Sequence, residues 1–414
     1  MTDRTVANVT CLGCGCACDD ITVVVKQDRI TEARNACALG TAWFGDGIIP
    51  AETRVNGRTA SLEQALTEGA RLLTGAKRPL VFLAGDVSCE TQREAVAIAD
   101  RLHGAIDSLA ATAATAVLAA QRRGRAGATL GEIRQRADLV VFWAVDPGAR
   151  YPRYGARYAV EPRGVATPQG RESRTLIAVD VGDSRGPADA DGRVAITPTD
   201  EVDGLEVMRA AVQGRVVEDG ERFGSLVELA RRMTAARYVA IVADGEPALV
   251  PVDPARAEAL VTLAQALNGP TRCALSTLRG GGNRSGADAV LTWQTGFPYA
   301  VDFARGYPSY EPRAGAPALL DGAEVDAALV IGAPATLPEP VAVALARVRS
   351  VAIGPRASAA TFQPAVAVDT GLAGIHEGGT AFRMDDVPLP LRPSIDGARA
   401  ALVTVRALRD RLSA

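Results

Sequence analysis

Histidine is almost missing from this chain of 414 residues: His103 and His376 are the only two. A histidine-based triad or an imidazole-rich metal site therefore has little to draw on. Cysteine is scarce beyond residue 37, where Cys89 and Cys273 are the last two. Lysine is confined to Lys26 and Lys77, so arginine carries the positive charge. Aromatic residues make up only 4%, which leaves the core to alanine, valine and leucine and suits closely packed α/β layers. Wholly apolar runs are short, as in Leu139 to Val145, against the roughly 20 residues that a membrane-spanning helix needs. The net charge of −3 gives no electrostatic reason for nucleic acid or an anionic membrane as partner. The start, Met1-Thr-Asp-Arg4, shows no apolar leader core. A cytoplasmic chain with reduced thiols is expected.

Cysteine is concentrated at the front. Cys11, Cys14 and Cys18 are spaced C-x2-C-x3-C, and Cys37 follows after a gap. Three thiolates close in sequence can cap one face of a small metal centre. A fourth from a separate segment completes the shell of an iron–sulfur cluster or a structural zinc. Cys16 lies inside the motif and can compete as a ligand. The pattern is a metal-site candidate, with a relic of four free thiols as the bland alternative.

The rest reads as α/β. The β-branched run Ile21 to Lys26, turned at Gln27-Asp28 and returned by Arg29-Ile30-Thr31, predicts a small β-rich cysteine module. Ser61 opens a helix through Leu73. Continuous apolar runs follow at Pro79 to Gly85, Leu139 to Val145, Thr175 to Val181, Tyr238 to Ala243, Val325 to Ile331, Val348 to Ile353 and Ala365 to Val368. They read as strands buried on both faces, as in parallel sheets. Helical patterns alternate with them, and the strings RADLVVFWAVDP at 136–147 and VDAALVIGAPA at 325–335 read alike. The expectation is two doubly wound parallel-sheet lobes with a small N-terminal cysteine-rich β module. Its boundaries are placed at 1–60, 61–235 and 236–414, the last ending in a helix over 396–412. Two irregular stretches, Tyr151 to Glu172 and Arg279 to Arg313, are the candidate binding or interface loops.

Several strings, in order, carry a resemblance: CLGCGCACDDI at 11–21, NACALG at 35–40, TLGEIRQRADLVVFWAVDPGARYPRYGARY at 129–158, TGFPYAVDFARGYPSYEP at 295–312 and GIHEGGTAFRMDDVPLPL at 374–391. Together they resemble the B subunit of formylmethanofuran dehydrogenase, in the molybdopterin oxidoreductase superfamily. They are most similar to the bacterial branch found in the formyltransferase/hydrolase complex. The resemblance implies Cys11, Cys14, Cys18 and Cys37 as ligands of a [4Fe-4S] cluster. It implies partners of three kinds: an amidohydrolase-like subunit, a formyltransferase subunit and a β-helical subunit. It also implies a reaction of the whole complex, from formyl-tetrahydromethanopterin through a methanofuran-like carrier to formate.

Two departures cut against redox chemistry. The redox members hold molybdenum or tungsten through pterin dithiolenes and a Cys followed by a His, shortly before the TLGE string. Here that segment, 110–121, holds neither, and Thr112 and Ala113 stand at the two positions. No Cys lies between Cys89 and Cys273. After Arg279, a polar Gly-His-Tyr-Asn-like loop has become Gly280-Gly281-Gly282-Asn283. No molybdopterin, no catalytic residue and no cofactor-binding residue beyond the four cysteines is expected.

The remaining candidates have bland readings. Cys89 and Cys273 read as inert core thiols, His103 as a helix end, and His376 beside Glu377 as a loop hydrogen bond. The arginines Arg150, Arg153, Arg157 and Arg163 read as an interface or salt-bridge cluster, although such loops approach pterin phosphates in redox relatives. The reading is a non-redox scaffold subunit. A working molybdenum or tungsten oxidoreductase with a non-Cys ligand, and a carrier-binding module, are the alternatives.

Overall fold

The computed structural model describes residues 3–109, 113–217, 222–246 and 255–412. The chain divides into two compact units: residues 1–114 with 280–414, and residues 115–279.

The first unit is built on a nine-stranded sheet. Its strands run in the order Ser309–Tyr310, Val301–Asp302, Ala105–Ser108, Pro79–Leu83, Ala327–Ile331, Arg349–Gly354, Val366–Asp369, Thr53–Val55 and Arg58–Thr59. The five inner strands are parallel and the short strands at both edges are antiparallel. Successive residues of the inner strands point to opposite faces. Val81, Leu83, Leu329 and Ile331 pack in one apolar cluster, and Leu80, Phe82, Ala328 and Val330 in another. The continuous apolar runs are thus explained, because both faces are covered. Helices Leu62–Thr74, Cys89–Arg101, Arg284–Thr295 and Ala401–Arg409 supply the first cluster. The helix after Ser61 starts as the sequence predicts: the Ser61 hydroxyl accepts from Gln64 N–H, and the Gln64 side chain accepts from Ser61 N–H.

A three-stranded antiparallel sheet, Arg4–Val9, Ile21–Lys26 and Arg29–Arg34, carries the cysteine loop between its first two strands. A hairpin of Gly379–Phe382 and Pro388–Leu391 lies later in the same unit.

The second unit holds an all-parallel five-stranded sheet in the order Gly192–Ile196, Thr175–Val181, Leu139–Trp143, Val239–Asp244 and Cys273–Leu278. Helices Glu201–Val212, Gly224–Ala235 and Ala255–Leu267 bury one face of it.

The α/β class with parallel sheets stands, but the division of the chain differs from the expected one. The boundary at 60/61 fails because Thr53–Val55 and Arg58–Thr59 are edge strands of the large sheet. The boundary at 235/236 cuts the five-stranded sheet, whose strands 239–244 and 273–278 pair on from 139–143. Pro79–Leu83, assigned to the first lobe, pairs with Ala327–Ile331, assigned to the second. Apolar runs reveal that strands are parallel and buried; they do not reveal which remote strand is the neighbour. Helix Arg284–Thr295 also falls inside a stretch expected to be irregular.

Candidate functional site

The cysteine loop leaves the strand Arg4–Val9 and closes on itself. Cys11 N–H donates to the Cys18 carbonyl at 2.9 Å, and Ala17 N–H to the Cys14 carbonyl at 3.1 Å. Cys11, Cys16 and Cys18 are buried, while Cys14 and Cys37 are half-buried. Cys37 stands at the start of the short helix Ala38–Phe44. Gly13 and Gly40 let that helix lie on the loop. A Cβ at Gly40 would come 3.2 Å from Cys11 Sγ and 3.9 Å from Cys37 Sγ, and one at Gly13 would come 3.0 Å from the Leu39 carbonyl. The sulfurs of Cys11 and Cys37 therefore border the same gap.

The other two thiols act on Cys11 electrostatically. Burial pushes the Cys11 thiol well above its ordinary range, and Cys14, Cys18 and Cys37 push it further; the Gly13 N–H at 3.4 Å opposes them. Such a thiol gives up its proton only to a cation that repays desolvation and repulsion. Among the described residues no three or more His, Cys, Asp or Glu side chains form a group able to hold a metal ion. By donor chemistry alone, four thiols suit either an iron–sulfur cluster or a zinc ion. Cys16 is fully buried.

The glycine loop has a role that its composition does not reveal. Gly282 N–H donates to the Leu12 carbonyl at 2.8 Å. A Cβ at Gly281 would overlap the Leu12 carbonyl oxygen and sit 2.8 Å from Cys14 N. Glycine here is required by the backbone of the cysteine loop, not merely left over from a lost polar pair. Asn283, at φ +62°, is a knot: its Nδ2 donates to the Val87 carbonyl at 2.9 Å, and its Oδ1 accepts from Phe382 N–H at 2.9 Å. Asp86, which was not among the candidates, is buried beneath the same loop and accepts the Trp43 indole N–H at 2.9 Å. No sequence signal marks it, because its partners are remote in the chain.

Other candidates take ordinary places. Thr112 lies outside the described residues; Ala113 is buried and offers no donor. His376 Nδ1 accepts from Leu372 N–H at 3.2 Å, so Nε2 donates to the Gly47 carbonyl at 2.8 Å; burial lowers its pKa and keeps it neutral. Glu377 accepts from Ala401 and Leu402 N–H at the start of the last helix. His103, exposed, follows the end of helix Cys89–Arg101. Cys89 is buried beside Asn283, and burial pushes its thiol up to about 11; burial likewise raises Cys273.

In the second unit, Arg150 pairs with Asp244 at the carboxyl end of its strand and stacks on Tyr151. Arg157 lies over Tyr158, 5.2 Å from the ring centre, in the π-helical turn Gly155–Ala159. Arg163 is exposed. The unit's cleft of about 460 Å³, lined by Arg125, Arg136, Tyr238 and Arg272 among others, sits instead near the amino ends of strands 239–244 and 273–278.

No family model matches the chain. It is 31% identical over 416 residues, 96% of each chain, to the B subunit of tungsten-containing formylmethanofuran dehydrogenase 2 of Methanocaldococcus jannaschii. Identity to the protein of the same description from Methanococcus maripaludis is 30% over 427 residues, 95% of each. Among solved structures, it is similar to a chain of the formyltransferase/hydrolase complex of Methylorubrum extorquens, crystallised with methylofuran. The TM-score is 0.72 and the identity 26%, over 87% of this chain and 98% of that one.

Proposed function

The chain belongs to the family of formylmethanofuran dehydrogenase B subunits, and from that premise we propose that it is a non-redox scaffold component of a formyltransferase/hydrolase complex. The complex passes a formyl group from formyl-tetrahydromethanopterin to a methanofuran-like carrier and hydrolyses it to formate. Its other subunits are of amidohydrolase-like, formyltransferase and β-helical kinds, and it works in the cytoplasm. No helix among the described residues is long and apolar enough to cross a membrane.

One observation carries the reading. Residues 104–272 contain no Cys and no His, in a family whose relatives here are named for tungsten. A hydroxyl such as that of Thr112 is a poor ligand for a soft metal centre, and alanine moves no proton. Cys11, Cys14, Cys18 and Cys37 would hold a [4Fe-4S] cluster, which when bound supplies a four-point cross-link as well as an electron site. With no redox partner, the cross-link is its use: metal-binding free energy is folding free energy.

The tungsten-named relatives favour one second reading, a working oxidoreductase with a non-Cys ligand. Elemental analysis of the intact complex for Fe, Zn, Mo and W separates the two. The scaffold reading expects no Mo or W and no formate oxidation with an artificial dye. Stoichiometric Mo or W, or such oxidation, overturns it.

A further inference from the structure

The four thiols come from two stretches of chain, and one buried residue is bonded to the support of both. Asp86 follows the strand Pro79–Leu83, is 8% exposed and sits at φ +67°. Its carboxylate Oδ1 accepts the Trp43 indole N–H at 2.9 Å. Trp43 belongs to the helix Ala38–Phe44 that Cys37 opens, and Thr41 N–H of that helix donates to the Cys37 carbonyl at 2.8 Å. The Asp86 N–H donates to the Gly282 carbonyl at 2.9 Å, and Gly282 N–H donates to the Leu12 carbonyl at 2.8 Å. Leu12 lies between Cys11 and Cys14. From one residue, therefore, a side-chain bond reaches the Cys37 helix and a two-step backbone relay reaches the loop of Cys11, Cys14 and Cys18.

We propose that Asp86 is a positioning residue of the four-cysteine centre, a strut that holds the Cys37 helix in register with the loop bearing the other three thiols. The proposal rests on the reading of those thiols as a metal centre. Packing alone does not fix this register. Trp43 meets Leu12 within a small apolar cluster that also contains Ala373, Ala381 and Leu391, and apolar contact is non-directional. The indole–carboxylate bond adds the direction. It is made with a buried carboxylate, which carries a desolvation cost. Burial raises the Asp86 pKa, and only the Trp43 hydrogen bond and the charge of Arg284 act against it. The Asp86 carbonyl accepts from Ala373 N–H at 3.2 Å, so the strut is itself anchored on the far side. Groups that orient ligands without touching the metal typically change metal affinity by 10–100-fold when removed.

The test uses the full chain, reconstituted anaerobically with iron and sulfide. Asp86→Gly removes the carboxylate and keeps the positive φ accessible. Trp43→Phe keeps the ring and removes the donor. Asp86→Asn keeps an acceptor and tolerates the left-handed backbone. Leu408→Ala, on the buried face of the last helix, is a destabilising control away from the thiols. Iron release to a chelator, followed by the visible thiolate-to-iron absorption, should quicken at least about tenfold in the first two variants. It should stay near the native rate in Asp86→Asn and in Leu408→Ala. Equal release from all four and the native chain overturns the strut, as does quickened release in Leu408→Ala equal to that in Asp86→Gly. If the native chain takes up no iron, the metal reading fails by itself. Amide exchange in the metal-free chain then decides the strut. Faster exchange in both 11–18 and 38–44 of Asp86→Gly upholds it, and unchanged exchange in either segment overturns it.

Discussion

At position 281 the side chain is decided by what a methyl group would strike. The Leu12 carbonyl and the Cys14 nitrogen are backbone atoms and cannot rotate aside. Gly281→Ala should therefore cost about 1–3 kcal/mol, the usual range for overpacking, and lower the melting temperature measurably. A melting temperature equal to the native one would show that the two loops part freely. Asp107 makes the opposite kind of demand. It is fully buried and accepts three backbone N–H groups, from Ser108, Ala300 and Ala316. Burial nevertheless outweighs them and pushes its pKa up to about 6, above the ~3.9 of an unfolded Asp. Between roughly pH 4 and 6 the folded chain thus holds a proton that the unfolded chain has lost. Stability from this group is full below that window and falls as pH rises through it. Asp107→Asn should lower stability at every pH, since one acceptor becomes a donor, and should flatten that slope in urea melts. A slope unchanged by the substitution would assign it to another group. The cysteines were legible in the sequence because their spacing is local. Asp86, Asn283 and Asp107 were not, because each is defined by partners far along the chain.

The elements were legible where one physical signal dominated. Leu139–Trp143 is the middle strand of five and Ala327–Ile331 the middle strand of nine, and both stand out as unbroken apolar runs because both faces are covered. Val141 and Leu329 are fully buried at their centres. Replacing either with Asp puts an unpaired carboxylate between packed layers, a penalty of several kcal/mol against a total margin of about 5–15 kcal/mol. Neither Val141→Asp nor Leu329→Asp should yield soluble folded protein. Normal yield and melting of both would contradict their placement in the core. Helix Arg284–Thr295 was hidden by its surroundings. Three glycines and an Asn at φ +62° precede it, and Gly286 sits in its first turn, pressed against the Asn283 side chain. Glycine-rich composition reads as loop, and only the apolar pair Val290 and Leu291 with Ala287 betrays the buried face.

For the whole molecule, the strand pairing of the first unit explains why the sequence misled about domains. The chain lays down four of the nine strands, leaves after residue 114 and returns at 280 to supply the other five. Every return contact is non-local, and closing so long an excursion carries an entropic cost. The cysteine loop lies at the place of return: Leu12 accepts from Gly282, and Gly15 accepts from Met384 N–H at 3.0 Å. A metal bridging Cys11, Cys14, Cys18 and Cys37 would stiffen the surface on which residues 280–283 and 384 dock. If that is its task, Cys11→Ser with Cys14→Ser should lower the stability of the chain and its yield in the assembled complex, while turnover per assembled complex stays at the native value. Iron and zinc analysis, melting curves and hydrolase assays on the same preparation read out all three. Collapse of turnover in fully assembled complex would place the centre in the chemistry and end the scaffold reading. If stability, assembly and turnover all hold, the four thiols are a relic of a redox ancestor, and neither iron nor zinc should then be found with the native chain.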